Sequence, residues 1–158
     1  QVYAMVNAGH AIVYGTQLKA ELRPSSFIRV KSSLSLIAGH DDEKAPLRHV
    51  PPLFGATHVV FERSALKADL YALYNGSITN ERMAPSEKDK PYLYARDENG
   101  NPWSPGWFTL NFKTSYNINN RLDLTAGIEN LLDLRYRPYS SGISAPGRNF
   151  IIAARIKI

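Results

Sequence analysis

Cysteine and long apolar runs are both missing from this chain. The 158 residues include no cysteine, which excludes a disulfide-stapled miniprotein and a zinc or thiolate site built on cysteine. Nowhere do about 18 apolar residues follow one another, so the sequence encodes no transmembrane helix. The chain starts at Gln1 with neither an initiator Met nor a signal peptide, and we expect it to be processed or truncated.

The composition is that of a folded chain with a modest basic excess. Hydrophobic residues make up 44% and charged residues 21% of the chain, which excludes a disordered tail. Lys and Arg outnumber Asp and Glu by 19 to 14, giving a net charge of +5. These cations are dispersed and are not concentrated on one face with stacking aromatic residues, so we expect no binding to nucleic acid.

Apolar side chains recur at every second residue through most of the chain. The clearest case is 108–118, where Phe, Leu, Phe, Thr, Tyr and Ile alternate with polar residues. Such alternation predicts β-strands. Similar patterns predict further strands at 2–7, 12–22, 28–36, 53–61, 66–74, 122–130 and 150–158. The predicted fold class is therefore all-β, with about eight strands, most of them longer than the usual mode of about 5 to 6 residues.

The predicted connections alternate between short and long. Short turns are expected at 23–26, 63–65 and 119–121, and long connections rich in proline, glycine and charge at 39–52, 80–106 and 132–148. This layout is typical of bacterial outer-membrane β-barrels, in which the long loops are extracellular. A soluble sandwich or lipocalin-like barrel shows the same alternation with its apolar face turned inward. Alternation alone leaves both architectures open.

Three features favour the membrane barrel. Nearly every strand charge falls on the polar face, as a lipid-exposed surface requires, since Arg or Lys at the bilayer midplane costs about 2 to 4 kcal/mol. The strands are long enough for a thick apolar layer. Aromatic residues near strand ends match interfacial girdles; they are Tyr74, Trp107, Phe108, Tyr116 and Phe150.

A motif near the C-terminus makes the chain recognisable. Asn130-Leu131-Leu132-Asp133 is followed by Tyr136, and Pro146-Gly147-Arg148 is followed by Phe150. This stretch resembles the C-terminal end of TonB-dependent outer-membrane receptors, where "G-x-x-N-L-x-D/N-x-x-Y" ends the penultimate strand and "P-G-R-x-F" precedes the last one. The motif residues are Asn130, Leu131, Asp133, Tyr136, Pro146, Gly147, Arg148 and Phe150.

Weaker matches extend the resemblance over the whole chain. They are Gly15-Thr16-Gln17, Val50-Pro51-Pro52 and Tyr74-Asn75-Gly76. Two positions depart from the family pattern: Gln17 stands where Glu is usual, and Ile158 stands where an aromatic residue commonly ends the barrel. In the family, the terminal aromatic residue helps the barrel-assembly machinery recognise the last strand, so Ile158 weakens that recognition signal.

The resemblance implies that residues 1–158 are the C-terminal portion of a transmembrane antiparallel β-barrel. They would form about the last eight strands of a barrel of about twenty-two, while the plug domain and the N-terminal barrel strands are not in this chain. The implied function is active transport of a scarce large nutrient, such as an iron-siderophore, haem or cobalamin, across the outer membrane of a Gram-negative bacterium. The implied partners are the TonB complex, contacted through the missing N-terminal region, the plug domain, outer-membrane lipids and lipopolysaccharide, and the barrel-assembly machinery.

The same resemblance assigns candidate functional residues. The polar-face charges would line the lumen and meet the plug; these candidates are Lys19, Glu21, Arg29, Lys31, Lys67, Asp69, Lys113, Glu129 and Arg155. Ligand capture would lie in the long loops, where aromatic residues with nearby cations suit a chelate or a large organic ligand. The loop candidates are Tyr92, Tyr94, Arg96, Trp103 and Trp107. Alternatively, Trp107 belongs to the interfacial girdle and the others serve loop packing or lipopolysaccharide contacts.

Neither a catalytic centre nor a metal site is predicted. The acidic runs at 40–43 and 97–101 offer oxygen ligands, but they fit solvated loops better and lack calcium-loop spacing. No nucleophile elbow or phosphate-binding glycine loop occurs, so we expect neither an enzyme nor a cofactor. Arg148 is expected to anchor the final loop through bidentate hydrogen bonds. Two alternatives stay open: a small self-contained eight-stranded outer-membrane barrel with a structural or adhesive role, and a soluble ligand-binding β-barrel.

Overall fold

One large antiparallel sheet dominates the computed structural model, which describes residues 9–157. In chain order the strands are β1 Ala11–Leu22, β2 Ile28–Asp41, β3 Phe54–Arg63, β4 Leu66–Asn75, β5 Ala95–Arg96, β6 Pro102–Trp103, β7 Trp107–Asn119, β8 Leu122–Glu129 and β9 Asn149–Ile156. The seven long strands are neighbours in the order β1-β2-β3-β4-β7-β8-β9, and β5 pairs only with β6. The predicted all-β fold class is confirmed.

The predicted strand bounds agree with the structure to within about two residues, except in β2. That strand continues to Asp41 because its last residues pair with the start of β1, where Ala11 lies opposite Asp41. The short helical segments of the chain were not predicted; they are Asn80–Arg82, Pro85–Lys88 and Pro91–Leu93. The predicted strand 2–7 and the C-terminal Ile158 lie outside the described residues.

Three long loops leave the same end of the sheet. We name them loop A (residues 42–53), loop B (residues 76–106, which contains β5 and β6) and loop C (residues 130–148). Short turns at 23–27, 64–65 and 120–121 join the strands at the opposite end. The expected alternation of short turns and long loops is thus present.

The strand register gathers the apolar positions on one face of the sheet. Residues opposite each other in an antiparallel pair share a face. One row of such neighbours crosses six strands: Val30, Val59, Leu70, Phe112, Ile128 and Phe150. Large side chains in this row remain uncovered, as with Leu70 at 43% and Phe150 at 68% exposure. We call this side the apolar face and the other the polar face.

Burial within the sheet is confined to the polar face. The buried strand residues among those described are Ser35, Val60, Thr109, Asn111 and Gly127, and the period of two places all of them on that face. Crowding on one side indicates that the sheet curves toward the polar face. A soluble β-barrel would instead turn its apolar side chains into the crowded interior, so the arrangement counts against that alternative.

Both outer strands of the sheet have an unpaired edge. Within residues 9–157, β1 pairs only with β2 and β9 pairs only with β8. The described strands therefore do not close into a barrel of their own. A helix long and apolar enough to cross a membrane does not occur in residues 9–157.

The most completely buried side chains lie in loop B. Met83 is 0% exposed, and Ala84 and Glu87 are each 1% exposed. The packed core of the described chain therefore sits among the loops, at one end of the sheet.

Candidate ligand-binding loops

A buried carboxylate occupies the point where the long loops meet. Glu87 of loop B accepts a hydrogen bond from the Tyr94 hydroxyl and one of 3.1 Å from the Lys90 ammonium group. Arg48 of loop A places its Nε 2.6 Å from the same carboxylate. Ser140 of loop C also lies beside it. A buried charge is tolerated only when it is paired and hydrogen-bonded, and Glu87 meets both conditions.

The ionisation of Glu87 and Tyr94 follows from this geometry. Burial raises the pKa of the Glu87 carboxyl, but the hydrogen bonds from Tyr94 and Lys90 outweigh burial and hold its pKa below the usual 4.5. Burial and the bond to Glu87 raise the pKa of the Tyr94 hydroxyl above its usual 10.0. At neutral pH the carboxylate is therefore charged and the phenol remains a donor.

Loops B and C are joined at two further points. The backbone N–H of Ala84 donates to the Tyr139 hydroxyl at 3.3 Å, and the Arg137 guanidinium donates to the Leu93 carbonyl at 2.9 Å. The rings of Tyr94 and Tyr139 lie 6.0 Å apart. These contacts make loops B and C one packed unit.

A cleft of about 450 Å³ opens between loops B and C. Trp107 and Tyr136 form part of its wall, with ring centroids 4.1 Å apart. Tyr94, Arg135 and Arg137 also line it. Aromatic faces beside guanidinium groups, without a lining Asp or Glu among the described residues, suit an anionic or ring-containing ligand.

Of the five predicted ligand-binding residues, the structure brings Tyr94 and Trp107 together in this cleft. Tyr92 is 78% exposed, and Arg96 donates to the Gly100 carbonyl at 2.8 Å within the β5–β6 turn. Trp103 pairs with Ala95 in the same hairpin. Tyr92, Arg96 and Trp103 do not line the cleft. A ligand-binding role stays a prediction for all five residues.

The placement of Trp107 in an interfacial girdle is wrong. The residue lies opposite Asn75 and shares the polar face with Thr109 and Asn111, whereas Phe108 lies opposite Tyr74 on the apolar face. Its ring packs on Tyr136 of loop C. The predicted strand begins at Phe108; pairing with Asn75 extends it to Trp107, and the period of two then turns Trp107 to the face opposite Phe108.

Sequence patterns did not reveal Glu87 or Arg48. Glu87 looks like the exposed Glu81 and Glu98 of the same loop, and its partner Arg48 lies in a different loop. The run Pro85-Ser86-Glu87-Lys88 signals only a helical turn, in which proline suits the first position. We find no pattern in the sequence that distinguishes this glutamate from its neighbours.

All nine predicted lumen residues fall on the polar face. Some are paired there: Arg29 lies 3.1 Å from Glu62, and Asp69 lies 2.9 Å from His58, whose ring stacks on Tyr71. The weakest contact, 4.0 Å, joins Lys31 to Glu21. Four of the six predicted lumen cations make no ion pair within 4.0 Å among the described residues; they are Lys19, Lys67, Lys113 and Arg155.

The C-terminal motif forms a clamp that holds both ends of loop C. The Asn130 side chain accepts from the Leu134 N–H at 3.0 Å and donates to the Leu134 and Pro146 carbonyls at 2.9 and 3.4 Å. Its own N–H donates to the Asn111 side chain at 2.8 Å. Asn130 has φ 49°, a left-handed conformation that asparagine tolerates better than most residues.

The other motif residues complete the loop clamp. The Arg148 guanidinium donates to the Leu131 carbonyl through two nitrogens at 3.1 and 2.9 Å. The Arg148 N–H donates to the Asp133 carboxylate at 2.7 Å. A Cβ on Gly147 would lie 2.6 Å from that carboxylate, so any larger residue would displace the carboxylate from this position. These contacts set where β9 begins.

The two acidic runs serve turns. Asp41 accepts from the N–H groups of Glu43 and Ala45 at 3.0 and 2.9 Å. Asp97 accepts from those of Asn99 and Asn101 at 2.9 and 2.8 Å. Within residues 9–157, no three His, Cys, Asp or Glu side chains are grouped so that they could hold a metal ion.

Comparison with known proteins shows the fold at low sequence identity. No protein-family model and no curated protein matches the sequence. The copper transporter OprC aligns over 92% of this chain with a TM-score of 0.76 and 21% identity. The FrpB iron transporter from Neisseria meningitidis aligns over 96% with a TM-score of 0.70 and 16% identity. The ferric enterobactin receptor PfeA from Pseudomonas aeruginosa aligns over 95% with a TM-score of 0.72 and 14% identity.

This chain is much shorter than the proteins it resembles. It spans 23%, 24% and 23% of the three chains just named. Likeness at these identities establishes a shared fold, and the shared fold is a segment of their β-barrel wall.

Proposed function

We propose that this chain is the C-terminal barrel portion of a TonB-dependent outer-membrane receptor that imports a scarce large nutrient. The apolar face would contact lipid, and the polar face would line the lumen and contact the plug domain. Loops A, B and C would face the medium and take part in capturing the nutrient. The chain's part in the process is binding and guidance, without covalent chemistry.

One observation carries this proposal: the sheet exposes its apolar face and buries part of its polar face. Lipid replaces water against such an apolar face at no cost, whereas in water the exposed Leu, Ile and Phe side chains would form a large uncovered patch. The shared fold with outer-membrane receptors and transporters and the resemblance of the C-terminal motif support the same function.

Among the possible nutrients we place an iron chelate first. Two of the three proteins compared above are described as an iron transporter and a ferric enterobactin receptor. The cleft between loops B and C presents aromatic rings and Arg135 and Arg137, which suit the anionic oxygens of many chelates. Copper, haem and cobalamin are the alternatives that an uptake assay must include.

The first experiment is the intact mass of the full gene product, extracted from outer membranes in detergent. We expect a mass several times 17.7 kDa, because a plug and the remaining strands must accompany this segment. A mass near 17.7 kDa would contradict the receptor proposal and favour a small self-contained barrel. Recovery in the soluble fraction would favour a soluble β-barrel.

The second experiment tests transport itself. A deletion strain should lose growth on one ferric siderophore of a panel under iron limitation, and the cloned gene should restore it. Removing TonB should abolish the restored growth, because the proposed import is energised through TonB. Growth on every chelate without the gene would contradict a role in iron uptake, and copper, haem and cobalamin would be tested in the same strain.

A further inference from the structure

The Glu87 junction, which we define as Glu87, Arg48, Lys90, Tyr94 and Tyr139, connects all three long loops. Arg48 comes from loop A, Tyr139 from loop C, and the others from loop B. Glu87 is 1% exposed, although it sits in a loop with exposed acidic residues on either side. A buried ion in such a place has a large desolvation cost that its partners must offset.

The junction adjoins the cleft between loops B and C. Tyr94 belongs to both, since its hydroxyl bonds Glu87 and the residue lines the cleft. The Tyr94 ring also lies 6.0 Å from that of Tyr139, and Tyr139 follows the cleft-lining residues Arg137 and Pro138. The carboxylate therefore holds Tyr94, which belongs to the loop B wall of the cleft. The Tyr94 ring in turn lies beside Tyr139, which adjoins the loop C wall.

We propose that Glu87 is a positioning residue of this cleft: its carboxylate fixes loop A to loop B and holds Tyr94 beside Tyr139 of loop C, and without its charge the distances between the loops vary more widely. The role of the cleft in nutrient capture rests on the proposed function, whereas the loop geometry does not. Arg48 from loop A and Lys90 and Tyr94 from loop B contact the carboxylate directly. Tyr139 and Ser140 of loop C lie near it, and loop C is held to this point by the Tyr139 ring beside Tyr94 and by the Ala84–Tyr139 hydrogen bond.

Glutamine is the informative replacement because it keeps the shape of the side chain. Its carbonyl oxygen can replace Oε1, which faces Arg48 and Lys90, and its NH₂ group then faces the Tyr94 hydroxyl, which can accept a hydrogen bond but no longer donates one to residue 87. Arg48 and Lys90 then face a neutral oxygen in place of a carboxylate, and removing one charge of a buried pair costs more than losing an exposed contact. Glu87→Gln should therefore loosen all three loops without changing the volume of the core.

The test measures distances between the loops in the full-length protein, purified in detergent from outer membranes. Spin labels are attached to cysteines introduced as Glu43→Cys in loop A, Asn99→Cys in loop B and Gly142→Cys in loop C, two at a time. This chain has no cysteine of its own, and a Cβ at Gly142 meets no atom within 4 Å. Pulsed dipolar spectroscopy should give one narrow distance distribution for each pair.

The expected result is a specific pattern of broadening. Glu87→Gln should broaden both the loop A–loop C and the loop B–loop C distributions, whereas Arg48→Gln should broaden only the loop A–loop C distribution of these two. Glu98→Gln, an exposed glutamate of the same loop, should change neither. Retention of heat-modifiable migration by all variants shows that the barrel is folded.

Two outcomes would overturn the proposal. The first is narrow distributions in Glu87→Gln, and the second is equal broadening of both pairs by Arg48→Gln, which would indicate general loosening. The labels report loop geometry without ligand. A failed uptake assay with the expected broadening would therefore contradict the proposed function and leave the role of Glu87 standing.

Discussion

At the scale of single residues, side chains in the loop clamp have separate tasks that their chemistry explains. Asn130 and Asp133 adopt φ 49° and 53°, where Asn and Asp are favoured over other side chains. Arg148 reaches the Leu131 carbonyl with two donors, which the guanidinium fork suits. Gly147 leaves room for the Asp133 carboxylate. The motif is thus a set of contacts that closes loop C.

Gly147→Ala should weaken this clamp. The new methyl group would push the Asp133 carboxylate away from the Arg148 N–H, a bond of 2.7 Å in the structure. Loss of such a bond at an exposed site costs about 1 kcal/mol. Denaturant titration of the full-length protein in lipid should show this decrease in the free energy of unfolding, and Gly142→Ala, which has open space around it, is the control. Equal stability of the two variants would contradict the clamp.

Acid should release the Glu87 junction. Because the folded pKa of Glu87 is held below 4.5, the charged form is favoured by folding. Its contribution to stability is present above about pH 4.5 and is lost as the pH falls through the lower folded pKa. The loop B–loop C spin-label distribution should therefore be narrow at pH 7 and broaden below pH 4.5. In Glu87→Gln it should already be broad at pH 7, and a further acid transition in that variant would assign the effect to another group.

At the scale of strands, the alternation of side chains leads to an experiment that tests whether the apolar face contacts lipid or water. Ala126 and Ala153 are both exposed alanines on neighbouring strands, but Ala126 belongs to the apolar face and Ala153 to the polar face. In water, arginine at either position would be tolerated. In a bilayer, only the polar face tolerates it.

Ala126→Arg should lower the free energy of unfolding by about 2 to 4 kcal/mol if the position lies near the bilayer midplane. Ala153→Arg, on the polar face, should have little effect. The measurement is denaturant titration in lipid vesicles together with the amount of folded protein in outer membranes. Equal tolerance of the two substitutions would contradict lipid contact on the apolar face.

At the scale of the whole molecule, the unpaired edges of β1 and β9 determine what the chain can do alone. Neither strand finds a second partner among the described residues, and a bilayer offers no water to satisfy the free backbone groups. We therefore expect the isolated 158-residue chain to remain aggregated or unfolded in detergent micelles. Heat-modifiable migration and protease resistance would measure this, with the full-length protein as control. A compact, protease-resistant monomer would instead favour the small self-contained barrel.

The chain itself encodes its strands, their two faces and the alternation of short turns with long loops. These features follow from a local rule, since every second side chain of a strand points to the same face, and pairs such as Val59 and Leu70 keep it across the sheet. For the same reason the polar-face position of Lys113 or Arg155 is predictable from the sequence. The C-terminal motif, recognised by its residues, also identifies the segment that forms the loop clamp.

Only the tertiary structure decided that β7 begins at Trp107, how far β2 extends and where the loops meet. The Trp107 ring is placed by Tyr136 of loop C and the end of β2 by its pairing with β1. Glu87 is buried because Arg48 and Tyr139, from two other loops, converge on the segment that carries it. Such convergence depends on the path of the whole chain, and no local pattern of residues records it.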